Sequence, residues 1–205
     1  MGSDRNSYFP HQEIETNLTR RDLVKRAAWV LAAAAVPSGV NLAAQDVSPM
    51  MLKLSTYMSE ARNVALPEKV LQETKNHILD TFAAMISGSE LPPGRMALKF
   101  AHAYGGPNVS TVVASDILMG PIEAAMVNGM LAHSDETDDS HAPSQSHPGC
   151  SIVPAALASS EQFGTDGTRL LRAVALGYDV GTRVTMTLGA LEYQMTSHRS
   201  SHSIA

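Results

Sequence analysis

The 205-residue chain has a single cysteine, Cys150, which excludes a disulfide framework and a cysteine-based zinc site within it. Aromatics are only 5% of residues, while alanine and methionine are plentiful. That balance favours packed helices over a β-sandwich. Basic residues are outnumbered by acidic ones, 15 to 20, for a net charge of −5. No basic stripe appears outside the N-terminus, so nothing in the charge pattern suits nucleic acid. The apolar run at residues 27–36 is short of the ~20 residues a membrane-spanning helix needs. There is no internal repeat. The length suffices for one domain with a real core.

The N-terminus reads as a separate object. Thr19-Arg20-Arg21-Asp22-Leu23-Val24-Lys25-Arg26 precedes the apolar run, and Pro37, Ser38 and Gly39 break it. A charged region, a short apolar region and small residues afterwards make a signal peptide. This one resembles the twin-arginine type, with Leu23 where Phe is usual. The expectation is a leader over residues 1–44, polar and disordered at first, with cleavage after Ala44. It implies the twin-arginine export machinery as a partner and a periplasmic location. A basic amphipathic helix of the mature protein is the alternative, which would leave the chain cytoplasmic.

From residue 45 onward the pattern predicts an all-α helical bundle. Leu66-Pro67-Glu68 starts a helix that runs through Val70, Leu71, Thr74, Ile78, Leu79, Phe82 and Met85 to a stop at Gly88. Further helices are expected over 95–104, 122–133, 149–162 and 169–187. Ala124, Ala125, Val127 and Met130 would form the small-residue face of the third. Leu170, Leu171, Val174, Leu176 and Val180 would turn the last toward the core. Residues 165–168 read as a turn carrying a helix cap. Residues 110–114 are the only convincing extended segment.

Between two apolar helices, residues 133–147 hold three histidines and four carboxylates. Buried charges cost several kcal/mol each unless paired or ligated, so this loop reads as a site. It contains neither His-x-x-x-His nor His-Glu-x-x-His, which disfavours a metal centre. No Gly-x-Ser-x-Gly elbow accompanies Ser140-His141. A helix N-terminus would activate Cys150, but a small core residue is the plainer reading. Histidines oriented by carboxylates suit proton transfer on carbon acids best. His147, held before Pro148 at a helix start, is the leading candidate. His133 reads as meeting the helix C-terminal dipole, Asp135 as a solvated loop charge, and Asp138 and His141 as solvated or functional.

Taken in order, Asn128-Gly129-Met130-Leu131-Ala132-His133, Glu136-Thr137-Asp138-Asp139-Ser140-His141 and His147-Pro148-Gly149 resemble the MmgE/PrpD family. So do the helix reaching Leu79-Asp80-Thr81 and the stretch Gly177-Tyr178-Asp179-Val180 with Arg183. The chain departs from the family pattern at Glu136 (for Asp), Thr137 (for Phe) and Ser140 (for Thr). The resemblance runs from about residue 52 to the end. It implies the first part of a helical domain, cut before a smaller α+β domain. It also implies a lyase acting on small di- or tricarboxylates, of the 2-methylcitrate dehydratase or cis-aconitate decarboxylase kind, without cofactor or metal.

By the same analogy His147 and His198 are the proton-transfer groups, with His202 the alternative to His198. Glu136, Asp138, Asp139, Ser140 and Arg199 would bind or position substrate. A homodimer is implied for the full-length form, and little or no activity for these 205 residues alone. Two other readings stay open: an epimerase of the same fold, and a non-catalytic helical binding module.

Overall fold

A computed structural model describes residues 47–197. The twin-arginine-type segment, His198, Arg199 and His202 lie outside the described residues. Contacts divide the chain into Met1–Ser48 and Pro49–Ala205. The second unit carries the architecture that follows.

Among the described residues seven helices and one two-stranded ribbon form an all-α bundle: α1 Pro49–Ala61, α2 Glu68–Ser89, α3 Pro92–Tyr104, β1 Ser110–Thr111, β2 Leu118–Met119, α4 Pro121–His133, α5 Gly149–Phe163, α6 Gly167–Met186 and α7 Ala190–Ser197. Helix α4 is central, packed on α2, α3, α5 and the ribbon. Proline opens both α3 and α4, where its missing N–H would have had no helical partner. Asp166 caps α6, accepting from Arg169 N–H at 2.9 Å. The expected cap is therefore present.

The core is built on Met85, Val112, Met119, Val127, Leu131, Val153 and Val174, all but fully buried. Periodicity misassigned some faces. Val70 and Leu79 on α2 are exposed, while Thr74 and Thr81 are buried with their hydroxyls donating to Val70 and His77 carbonyls. Those bonds satisfy the hydroxyls locally and let threonine sit inside. On α4, Met130 is exposed and Asn128 is buried. Of the α6 residues expected inside, only Val174 is fully buried. Gly88 lies within the last turn of α2 rather than ending it, because a Cβ there would strike the Leu131 carbonyl of α4. The expected extended segment shrinks to β1, paired antiparallel with an unexpected partner, β2.

Asn128 explains how so short a ribbon is held. Its amide donates to Thr111 C=O at 2.8 Å and accepts from Val113 N–H at 2.8 Å, acting as a substitute strand. Glu161 of α5 accepts from Thr111 N–H at 2.9 Å on the other side. Asn128→Ala removes the partner of two partly buried backbone groups and should cost about 1–3 kcal/mol. The urea midpoint of the purified variant checks this. A loss below about 1 kcal/mol contradicts the role given to the amide.

At the other side, Asp179 ties α1 to α6. Tyr57 Oη donates to Oδ2 at 2.6 Å and Arg183 Nε to Oδ1 at 2.6 Å. Partial burial works against the Asp179 charge, but the bonds from Tyr57 and Arg183 prevail and hold its carboxyl below the ordinary range. A carboxyl lowered on folding contributes stability that is full above its unfolded pKa and lost as pH falls through its folded one. Amide exchange in α1 should therefore accelerate below about pH 4, while the amides of α4 stay protected. Asp179→Asn should make α1 exchange faster at neutral pH and flatten the acid dependence.

Candidate functional site

The acid/His loop leaves α4 at His133 and enters α5 at Gly149. Inside it, His141 N–H donates to Ser146 C=O at 2.9 Å and closes a tight turn. The His141 ring lies 2.7 Å from Ser144 Oγ. His141 thus braces its own loop. Glu136 takes a left-handed conformation, φ 57°, and is exposed, as are Thr137 and Ser140.

Two adjacent aspartates point to opposite sides of this loop and organise it. The Asp138 side chain is completely buried. Its Oδ2 lies 3.2 Å from His133 Nδ1 and its Oδ1 3.3 Å from His147 Nδ1. The two rings stand 5.6 Å apart, tilted by 58°. The reading of Asp138 as a solvated charge is corrected, and His133 does more than meet a dipole: its ring is hydrogen-bonded to this carboxylate. The cost of desolvating this carboxylate is offset at Oδ2 by the hydrogen bond with His133, while Oδ1 accepts none among the described residues.

Asp139 turns the other way. Its Oδ1 accepts Gly149 N–H at 2.8 Å, its Oδ2 accepts Tyr178 Oη–H at 2.6 Å, and His77 Nδ1 lies 3.4 Å from the same oxygen. His77 stacks on Tyr178 with centroids 4.4 Å apart. Burial, then the Asp139 bond and charge, push the Tyr178 phenol far above its usual range. Tyr178 is therefore a donor at any ordinary pH. Gly149 fits because a Cβ would meet Asp139 Oδ1, Thr81 Oγ1 and Tyr178 Oη, all within 3 Å. Asp139 thus joins the α5 N-terminus to α6 and α2, and its oxygens are engaged in that task. Sequence reasoning missed His77. A histidine one turn before Thr81 on α2 was its only signal.

A cleft of about 440 Å³ opens beside the pair. His133, His147, Cys150 and Ser151 line its polar part, and Met126, Gly129 and Met130 its apolar part. Gly129 admits the Cys150 carbonyl, which would meet a Cβ at 2.9 Å. Pro154 lies inside α5, one turn beyond Cys150, and has no N–H to offer that carbonyl.

The profile of the MmgE/PrpD N-terminal domain matches residues 52–205. The chain belongs to the MmgE/PrpD family. The MmgE/PrpD domain is also similar to three characterised relatives. It is 28% identical to the cis-aconitate decarboxylase-like protein oryM of Aspergillus oryzae over 139 residues, 64% of this chain and 29% of that protein. It is 32% identical to human cis-aconitate decarboxylase over 124 residues, 58% of this chain and 26% of the relative. The mouse enzyme is 28% identical over the same length, 25% of its chain. The matched part thus spans little more than a quarter of these relatives.

Cys150 gives the domain a chemical signature. Burial first, then the Asp138 carboxylate, push its thiol up to about 12, and its Sγ–H donates to His147 C=O at 3.1 Å. The activated-thiol reading fails because the thiol is largely buried and the nearby charge is negative. At pH 8 only about one thiol in 10⁴ would be ionised, so DTNB should label the native chain ~100-fold or more slower than the urea-unfolded chain. Asp138→Asn, by removing the carboxylate, should speed native labelling.

Proposed function

We propose that this domain supplies the proton-transfer histidine of a lyase acting on small di- or tricarboxylates. The observation that carries the reading is the buried Asp138 carboxylate beside His147 Nδ1, at the edge of an open cleft. With the carboxylate beside Nδ1, Nε2 is the nitrogen left for the reacting proton. His147 is then the group that removes a proton α to a carboxylate, or returns one to carbon after carbon dioxide leaves. Asp138 is a positioning residue. Asp139 acts one step further back, by holding the helix start on which His147 stands. Membership in the family and the likeness to cis-aconitate decarboxylases support the substrate class. His198, with His202 as its alternative, is proposed as the second proton-transfer group. Glu136, Ser140 and Arg199 are proposed to meet the substrate. A homodimer and export by the twin-arginine route complete the reading.

The test uses the product of the complete open reading frame with cis-aconitate and 2-methylcitrate in deuterated water, followed by NMR. Loss of carbon dioxide or of water supports a lyase. Deuterium incorporation with scrambled stereochemistry and no loss of either group supports an epimerase. Inertness toward both acids removes the proposal. His147→Gln should lower kcat by about 10²–10⁴-fold. Asp138→Asn should lower kcat by ~10-fold or more with KM nearly unchanged. A change confined to KM would make Asp138 a binding residue instead.

A further inference from the structure

We infer that His133, Asp138 and His147 form a binding site for a first-row transition-metal ion of the zinc class. The inference does not depend on the lyase reading, because it concerns what three side chains coordinate in the absence of substrate. Each offers one ligand atom, and the three atoms lie within 4.8 Å of one another. The spacing carries the argument. Zinc bonds to nitrogen and oxygen are about 2.0–2.1 Å, so two ligands on one tetrahedral ion stand about 3.3 Å apart. His133 Nδ1 is 3.2 Å from Asp138 Oδ2 and His147 Nδ1 is 3.3 Å from Asp138 Oδ1, so whichever oxygen binds stands at tetrahedral spacing from one ring, and the three ligand atoms stay within 4.8 Å of one another.

A second observation is independent of that spacing. Asp138 Oδ1 is buried and accepts no hydrogen bond among the described residues, although His147 Nδ1 is 3.3 Å away. A cation between them would satisfy the oxygen, whose desolvation is otherwise poorly compensated. Two neutral imidazoles and one carboxylate are ligands suited to zinc, and cobalt fills such sites as a spectroscopic substitute. The cleft on which His133 and His147 open leaves room for water at the remaining position. Cys150 is not a ligand in this scheme: its Sγ–H donates to His147 C=O.

The ion would take the imidazole nitrogen that otherwise faces Asp138. It would thereby replace a negative neighbour of His147 with a positive one. The site is thus inhibitory toward any proton transfer that His147 performs, and a route for metal control of the domain.

The test is a titration of the chelator-treated 205-residue chain with zinc chloride by calorimetry, and with cobalt chloride by visible absorption. One equivalent should bind in the micromolar range or tighter, with cobalt d–d bands and no sulfur-to-cobalt charge-transfer band. His133→Ala and Asp138→Asn should each weaken binding ~10-fold or more. The triple variant His11→Ala, His198→Ala, His202→Ala, which removes the histidines outside the described residues, should bind as the parent does. Circular dichroism checks folding; should Asp138→Asn fail to fold, His133→Ala at its half-exposed position decides. No binding, a thiolate band, or binding that survives His133→Ala but is lost in the triple variant overturns the site.

Discussion

The arrangement depends on one constraint: consecutive carboxylates must face opposite ways, and both must leave water. Asp139 can do so because a backbone N–H and a phenol donate to it. Its bonds bring the start of α5 against α6 and α2, and so fix where Pro148 and His147 sit. Asp138 is then directed to the other side, between His133 and His147. Charge-assisted hydrogen bonds are stronger than neutral ones and cost most when half satisfied. The histidines therefore inherit their positions from Asp139, which does not touch them.

Gly149 belongs to the same constraint. A side chain there would displace the three oxygens that surround its Cα. The glycine after His147-Pro148 is thus required by the approach of Asp139, Thr81 and Tyr178. Asn128, in the other motif that marked the family, is likewise structural, since its amide completes the backbone bonding of β1. Motif residues here divide into those that face the cleft and those that hold the elements around it.

The all-α class, the helix order and the position of the acid/His loop between two helices were legible in the sequence, because helical periodicity and a dense run of charge survive without tertiary knowledge. Exposure of Leu79 and burial of Thr81 were not, because a threonine hydroxyl can bond within its own helix and then pack like an apolar group. Strand β2 was hidden because two residues carry no alternation, and what holds the ribbon is a side-chain amide from α4. Within the site, His147 and its loop could be found from composition. The opposite directions of Asp138 and Asp139 could not, since both are acidic residues of one loop and only partners distant in sequence, Tyr178 and His77, separate them.

Charge sets the remaining condition on a polycarboxylate reaction. The cleft beside His147 has no lysine or arginine among its described lining residues. Asp138 lies between two imidazoles, and Glu136 is exposed in the same loop. A doubly or triply charged acid entering here needs cations at a few ångströms to outweigh these carboxylates, since each pair at 4 Å is worth about 1 kcal/mol in water and several times more where water is excluded. Arg199, next in sequence to His198, is the candidate cation proposed to meet the substrate. The lyase reading therefore requires a cationic wall on the open side of the cleft, and the transition-metal reading requires none. That difference in electrostatic demand allows the same His–Asp–His set to bind an ion when no substrate is present.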